Sequence, residues 1–309
     1  MRYVFFCIVC NLITLYPTLA QEQAKDYQFK PRVIGIVVSD METSMAWYTQ
    51  NLAFERDTVM HFPASGITVG MVHQGSFFLE LVSFEKSIAA KKLQLPDGST
   101  SINGFFKIGF EVKDLEHLYN HLNSRQVKVV APIDALQRPN FDGPWPDKYF
   151  LVEDPDGNYV QFFSARPESD FQTSLKPFLM GLATPNLNES INWYQKQLGA
   201  QLLDRVGTVG NERAVLDIAG FILELGQFEG YINYGELSDN PTHPFYQVHG
   251  VKKLSFHMEG IRQLSHQMQA DSVIFDFELT EKRSLAGDRY FMIQDNFGNS
   301  LQFFASDKQ

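Results

Sequence analysis

Glu153 to Ala165 reads EDPDGNYVQFFSA, and Gln294 to Ala305 reads QDNFGNSLQFFA. Each is a turn running into a strand. Asp154-Pro155-Asp156-Gly157-Asn158 supplies what a tight turn needs: a side-chain acceptor, a fixed φ and a glycine for φ > 0. Tyr159 to Phe163 then offers the aromatic and β-branched residues of a strand. A single polar residue interrupts each apolar strand, Gln161 in the first and Gln302 in the second. These glutamines mark the floors of two equivalent sites.

Working outward, other words recur. Ser44 to Leu52 (SMAWYTQNL) returns as Ser190 to Leu198 (SINWYQKQL), offset by 146 residues. Glu80 in FFLEL returns as Glu224 in FILEL, offset by 144, and DKYF from Asp147 returns as DRYF from Asp288, offset by 141. The drift is that of loops changing length while elements keep their order, the signature of a duplicated chain. Domain one is placed at 31–166, a linker at 167–175 and domain two at 176–306. Each domain divides again. Val33–Val38 reads as a buried strand. Asp40 caps a helix with Met45, Tyr48 and Leu52 at helical spacing. Strands near 54–61, 66–73 and 76–83 follow. Phe105 restarts the pattern, with a helix after Asp114 and strands near 127–131, 148–152 and 159–164. The unit is strand–helix–three strands, twice per domain, an α+β architecture.

The net charge of −10 argues against nucleic acid, which selects a basic stripe. Residues 1–20 read as a secretory signal: Arg2, an apolar stretch from Val4 to Tyr16, and Thr18-Leu19-Ala20 as cleavage site. That stretch is shorter than the ~20 residues of a spanning helix. The expected location is therefore periplasmic or extracellular, with a mature start at Gln21 and a flexible leader over 21–30. Both cysteines, Cys7 and Cys10, lie in the signal, so the mature chain would carry no thiolate ligand or nucleophile.

The words VIGIVVSDMETSMAWYTQNLAFE (33–55), FFLELV (77–82), KIGFEVKDLEHLYNHL (107–122) and DPDGNYVQFF (154–163) resemble the vicinal oxygen chelate superfamily of glyoxalase I, extradiol dioxygenases and bleomycin-resistance proteins. The resemblance spans nearly all of the mature chain. It implies tandem domains, each of two βαβββ modules curled into a cup-shaped mixed sheet around a metal. The four ligand positions that it implies fall on Val33, Glu80, Lys107 and Gln161 in domain one, and on Leu179, Glu224, Lys253 and Gln302 in domain two. An aliphatic residue and an ammonium cannot ligate, since lysine has three donors and no acceptor. One carboxylate and one amide make a poor divalent site. No cofactor is expected, and a divalent metal is disfavoured.

The candidate catalytic residues are therefore Glu80, Lys107, Gln161, Glu224, Lys253 and Gln302. Glu80, Lys107 and Gln161 are expected to converge in one cup, and the other three in the second. A lysine ammonium on a cup floor polarises a carbonyl, holds a carboxylate or serves as base, and the glutamate holds or moves a proton. The alternative is a polar plug filling a dead metal site. His257 shares a strand face with Lys253 and has three readings: an acid–base couple with Glu224, a rescued metal site with Glu224, or a histidine in the barrel mouth with no chemistry. Glu111, Phe163, Phe304 and Trp145 are the expected substrate-contacting residues, Trp145 from the aromatic loop 140–146. His61, His73, His243, His249 and His266 share no spacing and read as structural or surface.

Three functions stay open: a lyase or isomerase for a small oxygenated substrate, a resistance-type module that sequesters a small molecule, or an assembly protein with vestigial cups. The expected partner is a small molecule, with no nucleic acid and no membrane span. Modules are swapped between chains in this family, which leaves a homodimer open.

Overall fold

The computed structural model describes residues 27–89, 102–136, 145–166, 169–233, 247–280 and 287–305. Residues 1–26, which hold the expected signal and most of the expected leader, lie outside them, as does 140–144 of the aromatic loop. The chain runs through four βαβββ modules. The first comprises β1 (Lys30–Val37), α1 (Met41–Leu52), β2 (Glu55–Phe62), β3 (Ile67–Gln74) and β4 (Phe77–Phe84). The second comprises β5 (Gly104–Val112), α2 (Leu115–Ser124), β6 (Val129–Ala135), β7 (Lys148–Glu153) and β8 (Tyr159–Ser164). The third comprises β9 (Leu175–Ala183), α3 (Leu187–Leu198), β10 (Gln201–Thr208), β11 (Asn211–Ile218) and β12 (Phe221–Phe228). The fourth comprises β13 (Gly250–Met258), α4 (Ile261–Ala270), β14 (Phe275–Phe277), β15 (Tyr290–Gln294) and β16 (Ser300–Ala305).

Side chains set the helix starts. Asp40, Asp114 and Asn186 each accept the backbone N–H three residues on, satisfying one of the donors that a helix leaves unpaired at its start. Gly260 precedes α4 in the left-handed region and makes no side-chain cap. Among the described residues no helix is long and apolar enough to cross a membrane.

The strands form two eight-stranded mixed sheets. The first runs β14-β15-β16-β13-β1-β4-β3-β2, the second β10-β11-β12-β9-β5-β8-β7-β6. Modules one and four thus share a sheet, and modules two and three share the other. Each sheet takes one module from each sequence repeat, joined by antiparallel pairing of first strands: β1 with β13, and β5 with β9. Connection length gives the physical reason. Only residues 165–174 join β8 to β9, whereas 85–103 and 229–249 join the modules within each repeat. Elements close in sequence dock together, so module three settles beside module two and module one waits for module four.

The helix-bearing faces of both sheets bury one continuous core, with Tyr48, Phe110, Phe162, Tyr194, Phe256 and Phe303 at most 1% exposed. The end of the expected leader belongs to that core. Phe29 is 3% exposed and lies 5.4 Å from Phe256 and 5.8 Å from Phe303, so 27–30 is anchored rather than loose.

The turn words also join the two sheets. Asp154 accepts the N–H groups of Asp156 and Asn158, the Asn158 amide, and the Tyr48 hydroxyl at 2.8 Å. Asp295 repeats the pattern with Phe297, Asn299 and the Tyr194 hydroxyl at 2.9 Å. Tyr48 lies on α1, which packs on the first sheet, and Asp154 in the turn before β8 of the second; Tyr194 on α3 of the second and Asp295 in the turn before β16 of the first reverse the arrangement. Burial and the neighbouring carboxylate push both phenols well above their usual range.

Candidate functional site

Each cup is organised around a row of three residues on adjacent strands. Gly35 on β1 is in register with Lys253 on β13 and with Glu80 on β4. Gly181 on β9 is likewise in register with Lys107 on β5 and Glu224 on β12. Lysine and glutamate are thus two strand spacings apart, about 9–10 Å at the backbone. The lysine bridges that distance by lying across the glycine. A Cβ on Gly35 would stand 3.1 Å from both Cβ and Cε of Lys253, and one on Gly181 would stand 2.9 Å and 3.1 Å from those of Lys107. Any other residue at these glycines would push the lysine off its path. The outcome is two like pairs, Lys253 Nζ to Glu80 Oε1 at 2.7 Å and Lys107 Nζ to Glu224 Oε2 at 2.7 Å.

These contacts correct the expected convergence. Lys107 meets Glu224 rather than Glu80, and Lys253 meets Glu80 rather than Glu224, because the modules pair across the repeats. The pairing of His257 with Glu224 is corrected too. His257 stands on β13 of the first sheet, Glu224 on β12 of the second. The Nε2 of His257 donates instead to the Ala305 carbonyl at 2.6 Å.

The glutamines occupy matching positions in the next row of each cup, beside unlike neighbours. Gln302 is in register with Ser255 and accepts its hydroxyl at 3.2 Å. Gln161 is in register with Gly109. It is 7% exposed, and its buried Oε1 has no hydrogen-bond partner among the described residues.

The cups differ in filling. In the second, Trp145 and Phe163 pack with Phe178, Leu179 and Ile222 into a separate apolar cluster, the rings 5.0–5.6 Å apart. Glu111 is fully buried beneath, accepting from Arg166 Nε at 2.6 Å and Ser169 Oγ at 2.9 Å, with Lys176 Nζ at 3.4 Å. It ties β5 to the segment between the repeats. Burial raises its pKa, but the hydrogen bond and charge of Arg166 outweigh that and hold it below the usual range. Glu224 is also lowered: burial raises it, and the charge and hydrogen bond of Lys107, with Arg213 nearby, more than reverse the effect. The first cup keeps Phe304 at 7% exposure against Tyr290, 5.9 Å away. Its ion pair is more open, with side-chain exposures of 15% and 28% for Lys253 and Glu80 against 10% and 17% for Lys107 and Glu224.

The donor set does not fit a divalent metal. Each cup has one carboxylate, already held by an ammonium, with Val33 or Leu179 and an amide in the next row along the strands. A catalytic site of this kind uses three protein ligands, and among the described residues no group of three His, Cys, Asp or Glu side chains gathers. Sequence reasoning missed Gly35 and Gly181, although both stand at the same place in the repeat words VIGIV and LMGLA.

The model of the Glyoxalase/Bleomycin resistance protein/Dioxygenase superfamily matches residues 31–162 and 176–303. Among solved structures, glyoxalase I from Zea mays is similar, at 14% identity and a TM-score of 0.62, covering 91% of this chain and 94% of that one. A putative dioxygenase from Bacillus subtilis is similar at 10% identity and a TM-score of 0.61, covering 90% of this chain and 85% of that one. At such identities the likeness is one of fold. No curated protein matches the chain.

Proposed function

The chain belongs to the Glyoxalase/Bleomycin resistance protein/Dioxygenase superfamily, and from that premise we propose that it is an exported protein acting on a small oxygenated molecule in its first cup, by lyase or isomerase chemistry without a bound metal. The observation that carries this reading is the Lys253–Glu80 pair, at two positions where the family resemblance implies metal ligands. An ammonium there supplies fixed positive charge, and the carboxylate beside it is a base. The second cup, filled by Trp145 and its neighbours, serves as a structural counterpart. Export is supported by the apolar stretch Val4–Tyr16 and the small residue Ala20.

In the proposed reaction a substrate carbonyl oxygen accepts from Lys253 Nζ. Glu80 removes a proton from the adjacent carbon, and the ammonium stabilises the resulting enolate. With an α-hydroxy carbonyl, return of that proton to the former carbonyl carbon, as the hydroxyl proton passes to the former carbonyl oxygen, is isomerisation. Expulsion of a β-substituent by the enolate electron pair, with the proton going to the leaving group, is a lyase step. Neither needs an oxidant. The ion pair must open to admit substrate, and the attraction lost, about 4 kcal/mol for unit charges ~4 Å apart at an effective dielectric of 20, is replaced in part by the substrate oxygen.

The test is carbon–hydrogen exchange in D2O, followed by proton NMR over a panel of small α-oxo and α-hydroxy carbonyl compounds, on protein purified without added metal. The expected result is exchange that falls about 10²–10⁴-fold in Glu80→Gln and is lost in Lys253→Met, with circular dichroism unchanged. Exchange that depends on a stoichiometric divalent metal would overturn the metal-free mechanism. Saturable binding with no exchange would favour sequestration instead.

A further inference from the structure

Away from both cups, three side chains from three modules meet at the seam between the sheets. The Oγ of Ser87, just past β4, lies 3.0 Å from Nε2 of His249, just before β13. The Nδ1 of His249 lies 3.7 Å from Oδ1 of Asp156, in the turn before β8. Asp156 is held rigidly. Its carboxylate accepts the Ser39 N–H at 2.9 Å and the Ser44 hydroxyl at 3.1 Å, and its side chain is 1% exposed. Backbone bonds fix the other two. Ile88 and Val248 form a parallel bridge, with the Ile88 N–H donating to Gln247 at 3.1 Å and the His249 N–H to Ile88 at 2.8 Å. Serine and histidine are each one residue from that bridge.

We propose that Ser87, His249 and Asp156 form a second catalytic centre, a serine acyl-transfer site for small carboxylic esters. Nucleophile, base and orienting carboxylate stand in the order that such a relay requires. The gap of 3.7 Å between His249 and Asp156 is the kind of looseness that resting relays show before substrate tightens them.

The duplicated half acts as an internal control. There the bridge recurs between Ile102 and Ile232, and the Asn103 N–H donates to Ile232 at 2.8 Å, as that of His249 does to Ile88. The three matching positions hold Asn103, Tyr231 and Phe297. The scaffold therefore stands without serine, histidine and aspartate, and the relay is peculiar to one copy. The same place in that half is concave, with a cavity of about 410 Å³ lined by Asn103, Thr184 and Tyr231 among others.

In the reaction, Ser87 Oγ attacks the ester carbonyl carbon and its proton passes to His249 Nε2. The carbon–oxygen bond to the alcohol breaks, and the imidazolium protonates the leaving alkoxide. Water then attacks the acyl-serine through the same histidine. Ester and water become acid and alcohol, with no redox change. Asp156 touches no reacting atom and is a positioning residue.

The test treats the full chain with a fluorophosphonate probe and maps the adduct by mass spectrometry. A single adduct on Ser87 is expected, absent in Ser87→Ala and formed about 10²-fold or more slowly in His249→Gln. Asp156→Asn is expected to slow labelling as well, a rate effect that a merely structural role would not produce at an unchanged melting temperature. Because Asp156 also holds the start of α1, Ser87→Cys is the second variant. Its alkylation by iodoacetamide is expected to slow about tenfold or more when His249→Gln is added, as for a thiol that loses its imidazole partner. The inference is overturned by an adduct on Lys252 or elsewhere, by no adduct, or by labelling and alkylation rates indifferent to His249.

Discussion

Replacing Lys107 with methionine strips Glu224 of an ammonium 2.7 Å away while keeping an unbranched chain across Gly181 that is one atom shorter. Removing one partner of a buried pair costs about 3–5 kcal/mol. Here the side chains are 10% and 17% exposed, so water relieves some of the orphaned charge and the lower end, about 3 kcal/mol, is expected. Glu224→Gln should cost a similar amount. The double variant should cost less than the two together, with a coupling of about 0.5–3 kcal/mol, the range for groups in direct contact. Urea unfolding followed by circular dichroism supplies all three values, as shifts in midpoint at constant m. The informative comparison is a second cycle, Lys107→Met with Glu80→Gln. Those residues sit in the same sequence repeat but in different sheets, and their coupling should be under about 0.5 kcal/mol, as for independent sites. If Lys107 couples to Glu80 and not to Glu224, the cups are built within repeats and the exchanged pairing is wrong.

Two further outcomes are expected. Tyr48→Phe and Tyr194→Phe each remove a hydroxyl that donates to a buried aspartate on the other sheet; each should lower stability by about 1–3 kcal/mol, and a loss under about 0.5 kcal/mol in urea would show that the tyrosines do not latch the sheets. Burial lowers the Lys252 amine from 10.5 to about 7, so between those values the unfolded chain binds the extra proton and stability should rise with pH, by up to about 1.4 kcal/mol per unit; calorimetric melting between roughly pH 7.5 and 9.5 should show the rise in the parent and a flatter profile in Lys252→Met, and equal slopes would refute the assignment.

Much of the fold was legible because local rules act on short words. Asp40, Asp114 and Asn186 before periodic apolar residues mark helix starts, and DPDGN before YVQFF marks a turn into a strand. The repeat of these words gave four modules. Which module faces which was not legible. First strands β1, β5, β9 and β13 carry much the same apolar residues on the face that packs inward, so no one pairing stands out from the words; connection length decides, and that is a property of the loops rather than of the words. The same blind spot separated Lys107 from its true partner Glu224. The role of Glu111 was hidden because its counter-ions, Arg166 and Lys176, flank the segment between repeats, where no strand phase applies. His249 read as structural for a similar reason: its neighbours Ser87 and Asp156 come from two other modules.

The sheet order also sets a schedule for synthesis. Modules two and three lie consecutively along the chain and pair with each other, like an inner bracket, while modules one and four close around them as the outer one. On the ribosome, β5 acquires β9 soon after it emerges. By contrast, β1 has β4 on one side and must leave its other edge open until β13, which starts at Gly250, has been made. An unpaired strand edge is the part of a nascent chain most exposed to wrong partners. That hazard lasts through most of translation, and the contacts that end it join the two most distant quarters of the molecule, which slows the final step of folding.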